Sequence, residues 1–130
     1  MAMARWLFKI EPDCYGLDAF ERDGETVWDG VANPAAKKHL RTAEVGDPVL
    51  YYHTGDEKAV VGVAEIAEAG QEPRVKFVRR LSNPVSLAAI KADPAFAEWE
   101  LVRIPRLSVM PVPAAVWKKI ESMAKKKAAG

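Results

Sequence analysis

The sequence predicts an α+β fold in which mostly antiparallel strands form a small, closed or nearly closed barrel decorated by short helices. Runs rich in β-branched and aromatic residues recur along the chain and are separated by tight polar turns. The turns in the middle of the chain are too short for the helical crossovers that join parallel strands. Helix signals lie in short segments around these strands and in one segment near the C-terminal end.

Length and composition fit one domain. The chain has 130 residues, of which 49% are hydrophobic and 28% are charged, and these values are typical of a globular protein. We expect a single domain over residues 1–124 and a flexible Lys-rich tail over 125–130. The net charge of +1 argues against a protein that coats long nucleic acids by charge alone.

Localisation follows from segments that the sequence lacks. No apolar run approaches the ~18 residues that cross a bilayer. The N-terminus has no signal-peptide pattern and runs directly into a strand-like segment. We therefore expect a cytoplasmic protein with no membrane partner. We also expect it to be a monomer.

Strand propensity and capping signals place the elements of the first third of the chain. The segment Arg5–Ile10 is aromatic and aliphatic and predicts a strand. Asp18 and Glu21 have the spacing of a capping box, which predicts a short helical turn. Asn33 is a good N-cap and is followed by Pro34, so we expect a helix that begins there, continues through the good helix formers of Ala35–Thr42 and is ended by the turn at Gly46–Pro48.

The rest of the chain alternates β-rich runs with short helices. Three strands are predicted at Val49–His53, Ala59–Ala67 and Val75–Leu81. Ser86 predicts the start of a helix that ends at Ala92, and Val102–Val112 is expected to be an irregular strand region. The last helix is predicted at Ala114–Ala124, with a core face formed by Val116, Ile120 and Met123.

Aromatic residues divide into core and site candidates. The periodicity around three tryptophans predicts core positions for Trp6, Trp99 and Trp117. Tyr51 and Tyr52 are neighbours on a predicted strand, so they point to opposite faces, and we expect Tyr51 in the core.

Catalytic and metal-binding signatures are absent from the sequence. There is no nucleophile elbow, no phosphate-binding glycine loop and no zinc-protease motif. Cys14, His39 and His53 lack metal-ligand spacing, so we expect no metal and no cofactor. A Cys14–His53 nucleophile pair and an acid–base pair of Glu11 and Asp13 stay open as hypotheses, although loop carboxylates are the preferred interpretation of the second.

One constellation of aromatic, amide and charged residues does suggest a site. It consists of four segments at predicted strand ends, namely Lys9–Asp13, Trp28–Asn33, Tyr51–Gly55 and Arg103–Val109. Trp28 stands between a turn and a helix start, an unusual place for a tryptophan that serves only in packing. An aromatic face beside hydrogen-bonding groups is what a flat heterocycle requires for binding.

At these residues the sequence resembles the EVE domain family, which belongs to the PUA-like superfamily and is close in fold to the YTH domains. The matching stretches occur in family order and span nearly the whole chain. They are Trp6–Asp13, Trp28–Asn33, Gly46-Asp47 with Tyr51–Thr54, Val61–Glu65, Pro84–Leu87, Arg106–Val112 and Trp117.

The resemblance implies a PUA-like pseudobarrel with a pocket for a single modified nucleobase, notably a modified cytosine in DNA or a modified base in RNA. It implies that the base stacks on an exposed face of Trp28, beside a backbone contact from Asp29. The further base-binding residues that it implies are Lys9, Glu11, His53, Arg106, Ser108 and Asn33, the last as a brace for the Trp28 loop. The chain departs from the family in its short Gly70–Pro73 connection, where members often carry a longer aromatic loop.

Basic residues offer candidate phosphate contacts. Four of them surround one predicted strand and a fifth lies elsewhere, namely Arg74, Lys76, Arg79, Arg80 and Arg103. A solvated strand face explains them equally well.

The preferred hypothesis is a non-enzymatic module that binds nucleic acid carrying a modified base, weakly and locally. Two alternatives stay open. The first is an enzyme that acts on a modified nucleoside with Glu11 or His53 as general base. The second is a protein-interaction barrel with a vestigial pocket, which the short Gly70–Pro73 connection favours.

Overall fold

The computed structural model describes residues 4–28, 31, 33–70 and 72–125. Its strands are β1 (Trp6–Ile10), β2 (Glu25–Val27), β3 (Pro48–His53), β4 (Ala59–Glu68), β5 (Arg74–Ser86) and β6 (Val109–Pro111). Its helices are α1 (Pro12–Tyr15), α2 (Leu17–Asp23), α3 (Pro34–Thr42), α4 (Leu87–Ala92), α5 (Glu100–Arg103) and α6 (Ala114–Lys125), with a 3-10 helix at Pro94–Phe96. Beyond Lys125, the predicted tail lies outside the described residues.

The strands form a mixed six-stranded sheet in the order β2-β5-β4-β3-β1-β6. β1 and β3 pair in parallel, and the other neighbours pair antiparallel. The prediction of an α+β fold with mostly antiparallel strands is therefore confirmed. The expected closed or nearly closed barrel is open, because β2 and β6 are the edges of a sheet that curls into a half-barrel, as in the pseudobarrel that the resemblance implies. Short turns join β3, β4 and β5, which therefore pair antiparallel as predicted. The parallel strands β1 and β3 are instead connected through α1, α2, β2 and α3.

Alternation along β1 and β3 gives the sheet two distinct faces. We call the face with Phe8 and Tyr51 the tryptophan face, because both rings contact Trp28. α2 packs on this face through Phe20, whose ring stacks on Tyr51 at 4.8 Å. We call the opposite face the lysine face, because it carries Lys9 next to Phe8 and Tyr52 next to Tyr51. Both faces are covered, and β3 is accordingly buried along nearly its whole length.

Helix starts agree with the sequence at two of three predicted caps. Asn33 Oδ1 accepts a hydrogen bond from the Ala36 N–H, and Ser86 Oγ accepts one from the Ala89 N–H. The capping box at Asp18 is wrong, because α2 begins one residue earlier, at Leu17, after Gly16.

The C-terminal part differs from the sequence expectation in two places. The expected strand region over 102–112 contains the end of α5 and only a three-residue strand, β6. The fully buried stripe of α6 consists of Trp117, Ile120 and Ala124, while Val116 and Met123 are half-buried. The core positions of Trp6, Trp99 and Trp117 are confirmed.

None of the helices in the described part of the chain has the length and apolar character needed to span a membrane.

Candidate functional site

The indole of Trp28 lies in the core rather than on the surface. The residue is only 6% exposed, and its ring centroid lies 5.1 Å from that of Phe8 and 5.8 Å from that of Tyr51. Its backbone N–H donates to the carbonyl of Pro73 at 2.7 Å, which ties the end of β2 to the start of β5. The expectation of an exposed stacking wall is therefore wrong, because the large rings on the tryptophan face bury the indole.

Two predicted residues follow Trp28 in the chain. Asp29 lies outside the described residues, so its contact with a base stays a prediction. The Oδ1 atom of Asn33 accepts the Ala36 N–H at 3.0 Å. Asn33 thus fixes the start of α3, as expected for a brace, and its side-chain oxygen is occupied by this hydrogen bond.

The carboxyl end of β1 brings several predicted residues together. The backbone N–H of Lys9 donates to the carbonyl of Ser108, and its ammonium donates to the carbonyl of Pro105, both at 2.9 Å. Burial lowers the pKa of Lys9. Arg106 lies in the same loop and is exposed, with no carboxylate in ion-pair range among the described residues. Glu11 is exposed at the end of β1 and its backbone starts α1.

His53 has both ring nitrogens engaged. Its Nε2 accepts the Leu17 N–H at 3.0 Å, so Nδ1 carries the proton and donates to Glu57 Oε1 at 2.6 Å. The residue is 8% exposed. This arrangement leaves no nitrogen for the base contact or the general-base role that the sequence suggested, so both assignments are corrected. His53 instead clamps the start of α2 to the turn between β3 and β4.

The basic residues of β5 are ion-paired rather than free. The pairs are Arg74 with Glu68 at 3.2 Å, Lys76 with Glu65 at 3.3 Å, Arg79 with Glu121 at 2.6 Å, and Arg80 with Asp18 at 2.5 Å and Glu21 at 2.7 Å. Arg103 donates to the carbonyl of Glu98 at 3.4 Å. A phosphate on β5 would have to displace a carboxylate from one of these ion pairs, so phosphate contacts on this strand stay a prediction.

A cleft of about 690 Å³ lies between α2 and β5. Among its lining residues, Arg80 is paired with Asp18 and Arg22 with Asp23, while Glu57 accepts the Nδ1 proton of His53. Within the described residues, the cleft therefore offers an anionic ligand no cation that is free of a carboxylate partner.

The structure does not form the hypothetical nucleophile pair. Cys14 is exposed on α1, whereas His53 is bonded to Leu17 and Glu57. Within the described ranges there is also no cluster of three or more His, Cys, Asp or Glu side chains that could hold a metal ion.

Sequence reasoning missed a second cavity on the lysine face. Its volume is about 240 Å³, and its polar lining includes Lys9, Tyr52, Lys58 and Lys91. Two signals in the sequence point to it. Tyr52 must face away from Tyr51, and Lys91 follows Leu87 by one helical turn.

Comparison with known proteins identifies relatives of this chain. The sequence profile of the EVE domain matches residues 4–123. Human thymocyte nuclear protein 1 is 25% identical over 119 residues, which cover 82% of this chain and 51% of that protein. The chain thus spans about half the length of this curated relative.

Solved structures share the fold over nearly the full chain. An NMR structure of a protein from Rhodopseudomonas palustris has a TM-score of 0.88 and 34% identity, and the match covers 98% of this chain and 99% of that one. A crystal structure of human thymocyte nuclear protein 1 in complex with DNA containing 5-methylcytosine has a TM-score of 0.86 and 20% identity, with 96% and 99% covered.

Proposed function

The chain belongs to the EVE domain family, and we propose that it is a non-enzymatic module that binds nucleic acid and recognises a modified base, such as a modified cytosine in DNA or RNA. The observation that carries this proposal is the sequence relationship to human thymocyte nuclear protein 1, which has been crystallised with DNA containing 5-methylcytosine. The relationship extends over 82% of this chain.

The end of β1 is the most suitable place for such a ligand. Phe8 contacts the Trp28 ring, and the next residue, Lys9, contacts the loop with Arg106 and Ser108. In this proposal the base edge is bound by Asp29, Glu11 and Ser108, and Trp28 backs the pocket. The cations of Lys9 and Arg106 contact the phosphates on either side of the base.

Binding by this arrangement is weak. Full stacking of a base on an aromatic ring contributes about 1–3 kcal/mol, and an indole that is 6% exposed supplies only part of that. Electrostatics adds little, because the net charge is +1 and the cations of β5 are paired. Two phosphate contacts predict a salt-dependence slope of about −1.4 for a single strand.

Fluorescence anisotropy with two labelled single-stranded oligonucleotides tests the proposal. The oligonucleotides differ only in one cytosine, which is 5-methylated in one of them. We expect the methylated strand to bind about tenfold more tightly or somewhat better, because one methyl group buried in a hydrophobic pocket contributes at least about 1 kcal/mol. Arg106→Ala should weaken both strands equally and reduce the magnitude of the salt slope by about 0.7. Arg41→Ala is the matched control, since it removes an exposed arginine from α3.

Equal affinity for the two strands contradicts modified-base recognition. If Arg106→Ala and Arg41→Ala lose the same amount of oligonucleotide affinity, this result contradicts the placement of the oligonucleotide at the end of β1.

A further inference from the structure

The lysine face contains a cavity that shares only Lys9 with the proposed base site. It lies on the side of the sheet opposite Trp28, because Lys9 and Tyr52 alternate with Phe8 and Tyr51. Its volume of about 240 Å³ is lined by strand, turn and helix residues, principally Lys9, Tyr52, Lys58, Leu87, Lys91 and Leu101. This volume is just below the range of about 300–1,000 Å³ found for drug-sized ligands, so the cavity suits a small group.

The charge of this cavity is uncompensated. Its lining residues include Lys9, Lys58 and Lys91, and none of them is an aspartate or a glutamate. None of these lysines belongs to an ion pair among the described residues, in contrast to the cations of β5. The acidic residues of the adjacent turn do not compensate, because Glu57 is bonded to His53 and Asp56 is not part of the lining.

The hydroxyl of a buried tyrosine, Tyr52, faces the same cavity. Tyr52 is only 2% exposed, yet its hydroxyl has no hydrogen-bond partner among the described residues. By contrast, the hydroxyls of Tyr15 and Tyr51 both donate hydrogen bonds. Every fully enclosed side-chain polar atom in this part of the chain has a partner, so the hydroxyl must reach the open space of the cavity. Burial raises the pKa of Tyr52 to about 12, so it is a hydrogen-bond donor at neutral pH.

The backbone holds two of the lysines in position. Lys58 has a φ of 46°, in the left-handed region that non-glycine residues rarely adopt. Its carbonyl accepts the Leu87 N–H at 2.7 Å, which ties the turn to the start of α4. Leu87 and Lys91 lie one turn apart on that helix, and both line the cavity. Strain of this kind is often kept where it positions a binding group.

We propose that this cavity binds a phosphate group between the ammonium groups of Lys58, Lys91 and Lys9, with the Tyr52 hydroxyl donating a further hydrogen bond. Lysine is a common phosphate ligand because it is a compact point charge. A phosphate offers several acceptor oxygens to donors that converge from a strand, a turn and a helix. The site goes beyond the base-binding proposal and lies on the other side of the sheet.

Titration calorimetry with inorganic phosphate is the direct test. We expect Tyr52→Phe to weaken phosphate binding about tenfold, since it removes one hydrogen bond to a charged acceptor. The double variant Lys58→Ala/Lys91→Ala should abolish measurable binding. The double variant Lys37→Ala/Lys38→Ala removes the same charge from exposed positions on α3 and should bind as the wild type does. Tyr52→Phe retains the packing of the ring, so this variant tests the site without disturbing the fold.

Two further titrations identify the source of the phosphate. If it belongs to a free nucleotide, deoxycytidine monophosphate should bind to the wild type and not to the Lys58→Ala/Lys91→Ala variant. The oligonucleotide affinity of that variant should then equal that of the wild type. If it belongs to a nucleic acid strand, the oligonucleotide affinity should fall in that variant while the preference for the methylated strand persists. Absence of phosphate binding, or equal losses in the lysine variants of the cavity and of α3, overturns the inference.

Discussion

Replacement of Trp28 by alanine tests whether its indole is part of the core. The ring is 6% exposed and packs between Phe8 and Tyr51 on the tryptophan face. Truncating a buried tryptophan to alanine costs about 3–5 kcal/mol, because the lost contacts leave a cavity. An exposed wall would instead change the free energy of unfolding by about 0.5 kcal/mol or less. The two interpretations therefore differ by several kcal/mol.

Urea denaturation followed by far-ultraviolet circular dichroism measures this difference without depending on the removed fluorophore. With an m-value of about 2 kcal/mol/M, Trp28→Ala should lower the denaturation midpoint by about 2 M. Ile104→Ala is the control, because Ile104 is 42% exposed and should shift the midpoint very little. If the two variants have the same midpoint, Trp28 is not a core residue and the structural assignment is refuted.

Two further predictions concern buried polar groups. Asp47→Ala should destabilise the fold by about 3 kcal/mol in the same urea assay, because Asp47 Oδ2 accepts bonds from Trp6 Nε1 at 2.9 Å and from the Glu44 N–H at 2.8 Å. The cost should shrink in a Trp6→Phe background, and an unchanged cost would contradict coupling between the two side chains. Burial raises the pKa of Tyr52 to about 12 in the folded protein. The stability linked to this shift is fully present below about pH 10 and is lost as the pH rises through about 12. The free energy of unfolding of Tyr52→Phe should therefore rise by about 1 kcal/mol relative to that of the wild type between about pH 8 and about pH 11. No relative rise would contradict the raised pKa.

Local signals in the sequence predicted the elements where neighbouring residues decide the structure. Asn33 caps α3 through the Ala36 N–H, and the helix begins at the predicted residue, because both partners lie within one turn. Ser86 caps α4 for the same reason. The capping box at Asp18 fails because α2 already begins at Leu17, so Asp18 lies in its first turn, where its carboxylate pairs with the distant Arg80. Local propensity carries no information on that partner.

The candidate site was less predictable because its geometry depends on distant contacts. His53 lies in the region that the family resemblance indicates, but the Leu17 N–H and the Glu57 carboxylate occupy both ring nitrogens. Nothing in the sequence near His53 specifies the first of these partners, which comes from α2. In the same way, the burial of Trp28 depends on Tyr51, which is brought alongside by the parallel pairing of β1 and β3.

Alternation along β1 explains why one contiguous stretch of sequence serves two sites. Phe8 points to Trp28 and the proposed base, whereas Lys9 points to Tyr52 and the proposed phosphate cavity. Lys9 also contacts the loop that carries Arg106, through the carbonyl of Pro105 at 2.9 Å. A Lys9 variant would therefore disturb both sites and could not distinguish them. Variants of Arg106 on one side and of Tyr52 on the other separate the two functions, because neither residue belongs to both sites.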